Sequence, residues 1–244
     1  MNTQHIVSSF NDDLNQIETL LLEMGGLVEQ QLASATTALH REDRALAKQV
    51  LKGDKRINKL ETKINENAVK ILALRQPVAA DLRNVVMTLK MASHLERIGD
   101  YTKNMARRTN TITKAEAFMG SIGTLVRMSE LVQQMIKSAL DAYNKRDADA
   151  AQDVRNTDEG VDQMHNTLFR ELLTYMMEDV RNIAGCMHLL FIAKNIERMG
   201  DHVADIAQET IFLVTGEWPE GKRPKGDNTS KMIISLDDIQ NEEE

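Results

Sequence analysis

Apolar side chains recur at steps of three and four through most of this chain. Phe10, Leu14, Ile17, Leu21, Met24, Val28, Leu32, Ala35 and Leu39 fall on one face of a first helix that is predicted to end near His40. A second stripe, Leu46, Val50, Ile57, Leu60, Ile64, Ala68, Ile71 and Leu74, predicts another helix. It should close at Arg75-Gln76-Pro77, because the residue before a proline avoids right-handed helical angles. Asp81 is the expected cap of a third helix.

From Ile122 the cycle starts again. A shift of 104 places Leu27-Val28 on Leu131-Val132, Gln30 on Gln134, Ala35 on Ala139, Asp43 on Asp147, Val50 on Val154 and Asp54 on Asp158. Beyond Met176 the shift shortens to 101, so the turn at RQPVAADLR is three residues longer than its counterpart at MMEDVRN. Hinge loops absorb such differences. The pattern predicts an all-α fold of two tandem, pseudo-repeated three-helix bundles, six long helices in all, over residues 5–112 and 118–215. Two copies are a duplication and fall short of a solenoid. Residues 217–244 lose the apolar period, carry two of the three prolines and close on three glutamates, which predicts a flexible, acidic C-terminal tail.

Composition agrees with a helical reading. Of 244 residues 42% are hydrophobic, only 4% are aromatic, and Pro77 is the sole proline before residue 219. A net charge of -7 argues against a nucleic-acid binder, which needs clustered Lys and Arg to displace counterions from phosphate. No basic-then-apolar leader or membrane-length apolar run stands out, so a cytoplasmic location is expected. The lone Cys186 sits among Ala184, Met187 and Leu189 and reads as a small buried hydrophobe.

The chemistry concentrates in one repeated block. Six of sixteen positions in Met91 to Ala106 recur unchanged in Ile192 to Ala207, among them Glu-Arg-x-Gly-Asp. At about 100° per residue, Glu96, Asp100 and Asn104 share one stripe, opposite the apolar Met91, Leu95, Ile98 and Met105. Glu197, Asp201 and Asp205 repeat it, and Glu209 extends it by a turn. Both stripes are expected on the open face of their helices. Like charges four apart and a mid-helix glycine each disfavour the helix, the glycine by about 1 kcal/mol. Such carboxylates, with Asn104 or Asp205 as a further oxygen donor, suit a hard cation: Mg²⁺, Mn²⁺, Ca²⁺ or iron. An equally open reading is a solvated face neutralised by Arg97, Arg198 and Lys103.

A catalytic site is not expected. Di-iron bundle oxidases need Glu-x-x-His, and here only Asp162 stands three before a histidine, His165. His94, His165, His188 and His202 are scattered, which suggests structural roles. Gly216 to Lys222 has phosphate-loop spacing, but Arg223 replaces the metal-binding Ser or Thr and a helix precedes it in place of a strand. No organic cofactor is implied.

LALRQPVAADLR, HLERIGDYTKN, ELLTYMMEDVR and NIERMGDHVADIAQETIFLVTGE resemble the PhoU family of phosphate-regulon proteins, over residues 10 to 217. The resemblance implies paired three-helix bundles, commonly a homodimer, with a metal motif at Glu96 and Asp100 and again at Glu197 and Asp201. Ions in question would be Mg, Mn, Fe, Zn or Ca. Two departures touch the second copy: Val180 stands where the family often has proline, and Asp205 where it usually has Asn. The implied function is non-enzymatic: a cytoplasmic adapter between the phosphate ABC transporter ATPase and a sensor histidine kinase. It would repress the starvation response when phosphate is plentiful, reaching the membrane only through its partners. The alternative is a carboxylate-rich metal-binding bundle with storage or metalloenzyme activity.

Overall fold

The computed structural model describes residues 3–112, 118–221 and 225–226, with side chains from residue 10 onward. Six long helices account for nearly all of it: α1 (Thr3–His40), α2 (Arg44–Arg75), α3 (Ala79–Thr109), α4 (Met119–Lys145), α5 (Ala148–Glu178) and α6 (Ile183–Thr215). A 3-10 turn, Val180–Asn182, leads into α6. The all-α expectation holds.

The helix ends follow local chemistry. Asp43 accepts from the backbone N–H groups of Ala45 and Leu46, both at 2.9 Å, and its repeat partner Asp147 accepts from Ala150 at 2.9 Å. These two aspartates therefore cap α2 and α5 in the same way. α2 stops at Arg75, and Gln76 turns left-handed ahead of Pro77. Asp81 does not cap α3: the helix begins two residues earlier, the extended Val78 occupies the cap position without a side-chain bond, and Asp81 lies in the first turn. There its charge still faces the positive end of the helix dipole. Gly216, at φ 81°, ends α6 and donates its N–H to the Phe212 carbonyl at 2.8 Å.

Helices consecutive within a repeat run in opposite directions. Arg75 bonds Asp13 and Arg56 bonds Glu23 across α1 and α2, while Lys103 of α3 reaches back to Asp54 of α2. The repeats join along two antiparallel seams, α1 against α4 and α3 against α6. At the first, Arg146 pairs with Glu18; at the second, Lys90 approaches Glu209 and Arg108 approaches His188. One apolar core runs through both repeats, from Met24, Leu32 and Ile57 to Leu168, Leu189 and Ile196. Cys186 is fully buried in that core, and burial pushes its thiol pKa up.

The described part of the segment after α6 is packed against the bundle. Trp218 stacks on Phe212 with ring centroids 4.2 Å apart. The Gly221 carbonyl accepts from Arg155 at 3.0 Å, and the Gly226 N–H donates to Asp162 at 2.8 Å. The rest of the expected tail, residues 222–224 and 227–244, lies outside the described residues.

Candidate carboxylate and imidazole clusters on α3 and α6

The two acidic stripes are partly covered: Glu197 and Glu209 are buried, while Glu96, Asp100, Asn104, Asp201 and Asp205 are half-buried. Each third helix is gripped by its own second helix on one side and by the other repeat on another, so Glu197 is only 4% exposed and Gly99 and Gly200 are buried. The glycines explain themselves by contact. A Cβ on Gly200 would lie 2.6 Å from Oδ1 of Asp158, and one on Gly99 would lie 3.1 Å from Cδ1 of Ile57. Their absence of a side chain lets α5 and α2 approach.

In the first repeat the site gathers residues from two helices. Glu96 and Asp100 of α3 meet Glu61 and Asp54 of α2. Burial raises the Glu96 pKa, and the neighbouring charges of Asp100 and Glu61 raise it further. Glu61 is likewise raised, first by burial, with Asp100 adding to it and Arg97 opposing. Lys103 bridges the pair of aspartates, with Nζ 2.6 Å from Asp54 and 3.1 Å from Asp100. The hydrogen bond to Asp54 is the chief reason its own pKa is raised. Arg97 pairs with Glu96, at 3.8 Å, and not with Asp100.

The second repeat keeps the carboxylates but changes their company. By the shift of 104, Asp158 replaces Asp54 and His165 replaces Glu61, and both are buried. Lys194 lies 2.9 Å from Glu197, and Lys225 lies 3.4 Å from Asp201. Arg198 leans over the Tyr101 ring.

The third residue of each stripe leaves the pair. Asn104 accepts from Arg107 at 3.3 Å, whereas Asp205 turns to His94 across the α3–α6 seam, at 3.9 Å. Axial rise explains this: eight residues of helix advance about 12 Å, too far for Glu96 and Asn104 to share one ion.

That seam holds a cluster the sequence had scattered. His94 Nδ1 and His202 Nδ1 are 2.9 Å apart. His94 Nε2 lies 3.3 Å from the buried Glu209, and Tyr101 stacks on His202. Burial pulls the His94 pKa down, but bonding to Glu209 and the charges of Glu209 and Asp205 outweigh it and raise it. His202 is lowered, first by burial and then by His94. Glu209 is raised by burial. Beside the cluster opens a polar cleft of about 390 Å³ lined by Tyr101, Arg198, Asp201, Asp205, Gln208 and Lys225, with His202 at its wall. Repeat alignment pairs His94 with Asn195 and His202 with Tyr101, so no periodic signal linked the two histidines.

Among the described residues no helix is long and apolar enough to cross a membrane. Exposed apolar residues instead gather at the two hinge turns: Leu74, Val78 and Leu82 between α2 and α3, and Met177, Val180, Ile183 and Met187 between α5 and α6.

Comparison with known proteins places this geometry. The family model for the PhoU domain matches twice, over residues 21–109 and 125–210. A phosphate-specific transport system accessory protein PhoU homolog from Rhizobium meliloti is 42% identical over 95% of this chain and 98% of its own length. The phosphate-specific transport system accessory protein PhoU of Escherichia coli is 38% identical over 96% of each. The crystal structure of PhoU from Pseudomonas aeruginosa superposes with a TM-score of 0.81 at 40% identity, covering 85% of this chain and 100% of that one. The phosphate transport system regulatory protein PhoU from Streptococcus pneumoniae gives a TM-score of 0.79 at 28% identity, over 86% and 99%.

Proposed function

This chain belongs to the PhoU family, and on that ground we propose that it is a non-enzymatic regulator of phosphate transport, acting in the cytoplasm as an adapter. The observation that carries the reading is the double PhoU-domain match, which falls on both three-helix repeats. One partner is the ATPase of a phosphate ABC transporter and the other a sensor histidine kinase, which the adapter holds in its repressing state while phosphate is plentiful.

The architecture supports a two-partner role. Because α3 and α6 are antiparallel, the α2–α3 turn and the α5–α6 turn lie at opposite ends, roughly 45 Å apart along helices of this length. Each end carries exposed apolar side chains, Val78 and Val180 foremost. Transporter state sensed at one end then biases the kinase at the other, provided each partner distinguishes two arrangements of the bundle. The adapter works as a homodimer.

The first acidic cluster fits a resident cation. Glu61, Glu96 and Asp100 crowd three carboxylates into a partly buried place, where burial first and mutual repulsion second raise the pKa of Glu61 and Glu96. A divalent or iron ion held by these residues would offset that repulsion and tie α2 to α3. Glu197 and Asp201 are the matching pair in the second repeat, where Lys194 and Lys225 already supply positive charge.

Deleting the gene and reading a phosphate-starvation promoter in phosphate-rich medium tests the adapter. The reporter should be constitutively on, and Val78→Asp or Val180→Asp should reproduce this with the fold intact. Normal repression in the deletion strain refutes the reading. Elemental analysis with anomalous diffraction on chelator-free protein tests the cation, which Glu96→Gln with Asp100→Asn should remove.

A further inference from the structure

We propose that His94, His202 and Asp205 form a transition-metal site at the α3–α6 seam, oriented by Glu209 and suited to a borderline ion such as Zn²⁺. It is separate from the carboxylate pairs and does not depend on the adapter reading.

Ligand atoms of the three residues lie within 4.8 Å of one another. The two Nδ1 atoms are 2.9 Å apart. With metal–nitrogen bonds of about 2.0–2.1 Å, a tetrahedral centre holds two nitrogens about 3.3 Å apart. The imidazoles therefore need to part by only a few tenths of an ångström to admit an ion. Asp205 Oδ2, 3.9 Å from His94 Nδ1, approaches from the same side of α6 as His202.

Glu209 supplies the second requirement. It is 5% exposed, and its Oε1 lies 3.3 Å from His94 Nε2. Accepting the Nε2 proton leaves the Nδ1 lone pair free to bind, the carboxylate–histidine–metal arrangement that fixes tautomer and ring orientation. Its other oxygen, Oε2, has no hydrogen-bond partner among the described residues. Such a buried carboxylate is costly without a compensating cation, and Lys90, 3.9 Å from Oε1, is the near positive charge. Two neutral imidazoles with two carboxylates balance a doubly charged ion. Imidazole nitrogen favours Zn²⁺, Co²⁺, Ni²⁺ or Cu²⁺, whereas the all-oxygen clusters favour harder ions. The cleft beside His202 and Asp205 gives solvent access to the fourth coordination position. Because His94 and His202 come from different repeats, the ion clamps one to the other.

Titrating chelator-stripped full-length protein with Zn²⁺ by calorimetry, and with Co²⁺ by visible absorption, tests the site. We expect one Zn²⁺ site per chain, beyond any ion at the carboxylate clusters, that survives Glu96→Gln with Asp100→Asn and is lost in His94→Ala and in His202→Ala. Glu209→Gln should weaken it by about ten- to hundredfold. Should the histidine variants misfold by circular dichroism, Asp205→Asn alone must weaken Zn²⁺ at least about tenfold, as removing a ligand requires. No Zn²⁺ binding at micromolar concentration, binding indifferent to both histidines, or binding lost only with Glu96 and Asp100 overturns the proposal.

Discussion

Replacing Gly200 by alanine tests whether helix contact, rather than backbone freedom, selects the glycine of the repeated block. In an isolated helix the change is favourable by about 0.8–1.0 kcal/mol. Here the new Cβ would sit 2.6 Å from Asp158 Oδ1 and 3.6 Å from Val161. The oxygen must retreat by roughly 0.8 Å to reach ordinary contact, and Asp158, 1% exposed, has no solvent to retreat into. Overpacking of this kind costs about 1–3 kcal/mol, and drawing a buried carboxylate off its partners adds about 1–3 kcal/mol. The net expectation is a destabilisation of roughly 1–5 kcal/mol, with about 2–4 °C lost from Tm per kcal/mol in a chain of this size. Gly26→Ala is the control: it is also mid-helix, but its Cβ meets nothing within 4 Å. That variant should gain the propensity term alone, about 1 kcal/mol. Urea unfolding followed by circular dichroism, with unchanged m, measures both. Equal stabilisation of the two variants would show that the α5–α6 contact does not set the choice of glycine.

Lys103→Met leaves Asp54 buried without the ammonium 2.6 Å away, and should destabilise by about 1.5–3 kcal/mol in denaturant titration, the loss of a hydrogen bond to a charged group. Asp43→Ala and Asp147→Ala should each lower unfolding free energy by about 1 kcal/mol, and the double variant should be additive within about 0.5 kcal/mol because the caps share no partner. For pH, Glu61 and Glu96 hold protons more tightly in the native state than at their ordinary value of 4.5. The native state thus binds more protons in the window from 4.5 up to those raised values, and cation-free protein should lose stability as pH climbs through it. Glu96→Gln should flatten that slope, which denaturant midpoints across the window will show; an unchanged slope would mean the carboxylates are not crowded.

Much of the fold was legible because its signals are local. Steps of three and four marked α1 and α2, the repeat carried that reading to α4 and α5, and its shift of 104 matched Asp43 to Asp147, which prove to be equivalent caps, and Asp54 to Asp158, which prove to be buried beside the third helix of each repeat. The candidate site was legible only in part. Glu96 and Asp100 stood out by spacing, but Glu61 did not, since nothing in α2 alone says which of its carboxylates faces α3. Asn104 shared the angular stripe yet lies about 12 Å along the axis from Glu96, a distance that angular periodicity ignores.

By itself the sequence determined the all-α class, the duplication, the helix boundaries to within a few residues and the PhoU resemblance, because period and capping act within a few turns of chain. Tertiary structure decided which faces are covered. Packing against α2 and α5 partly covered the stripes expected to be open and left Glu197 buried, while antiparallel packing of α3 on α6 set Asp205 beside His94 and brought His94 next to His202 across more than a hundred residues. Register between helices arises from packing shape, and at Gly200 from a single missing methyl group. Neither leaves a period in the chain.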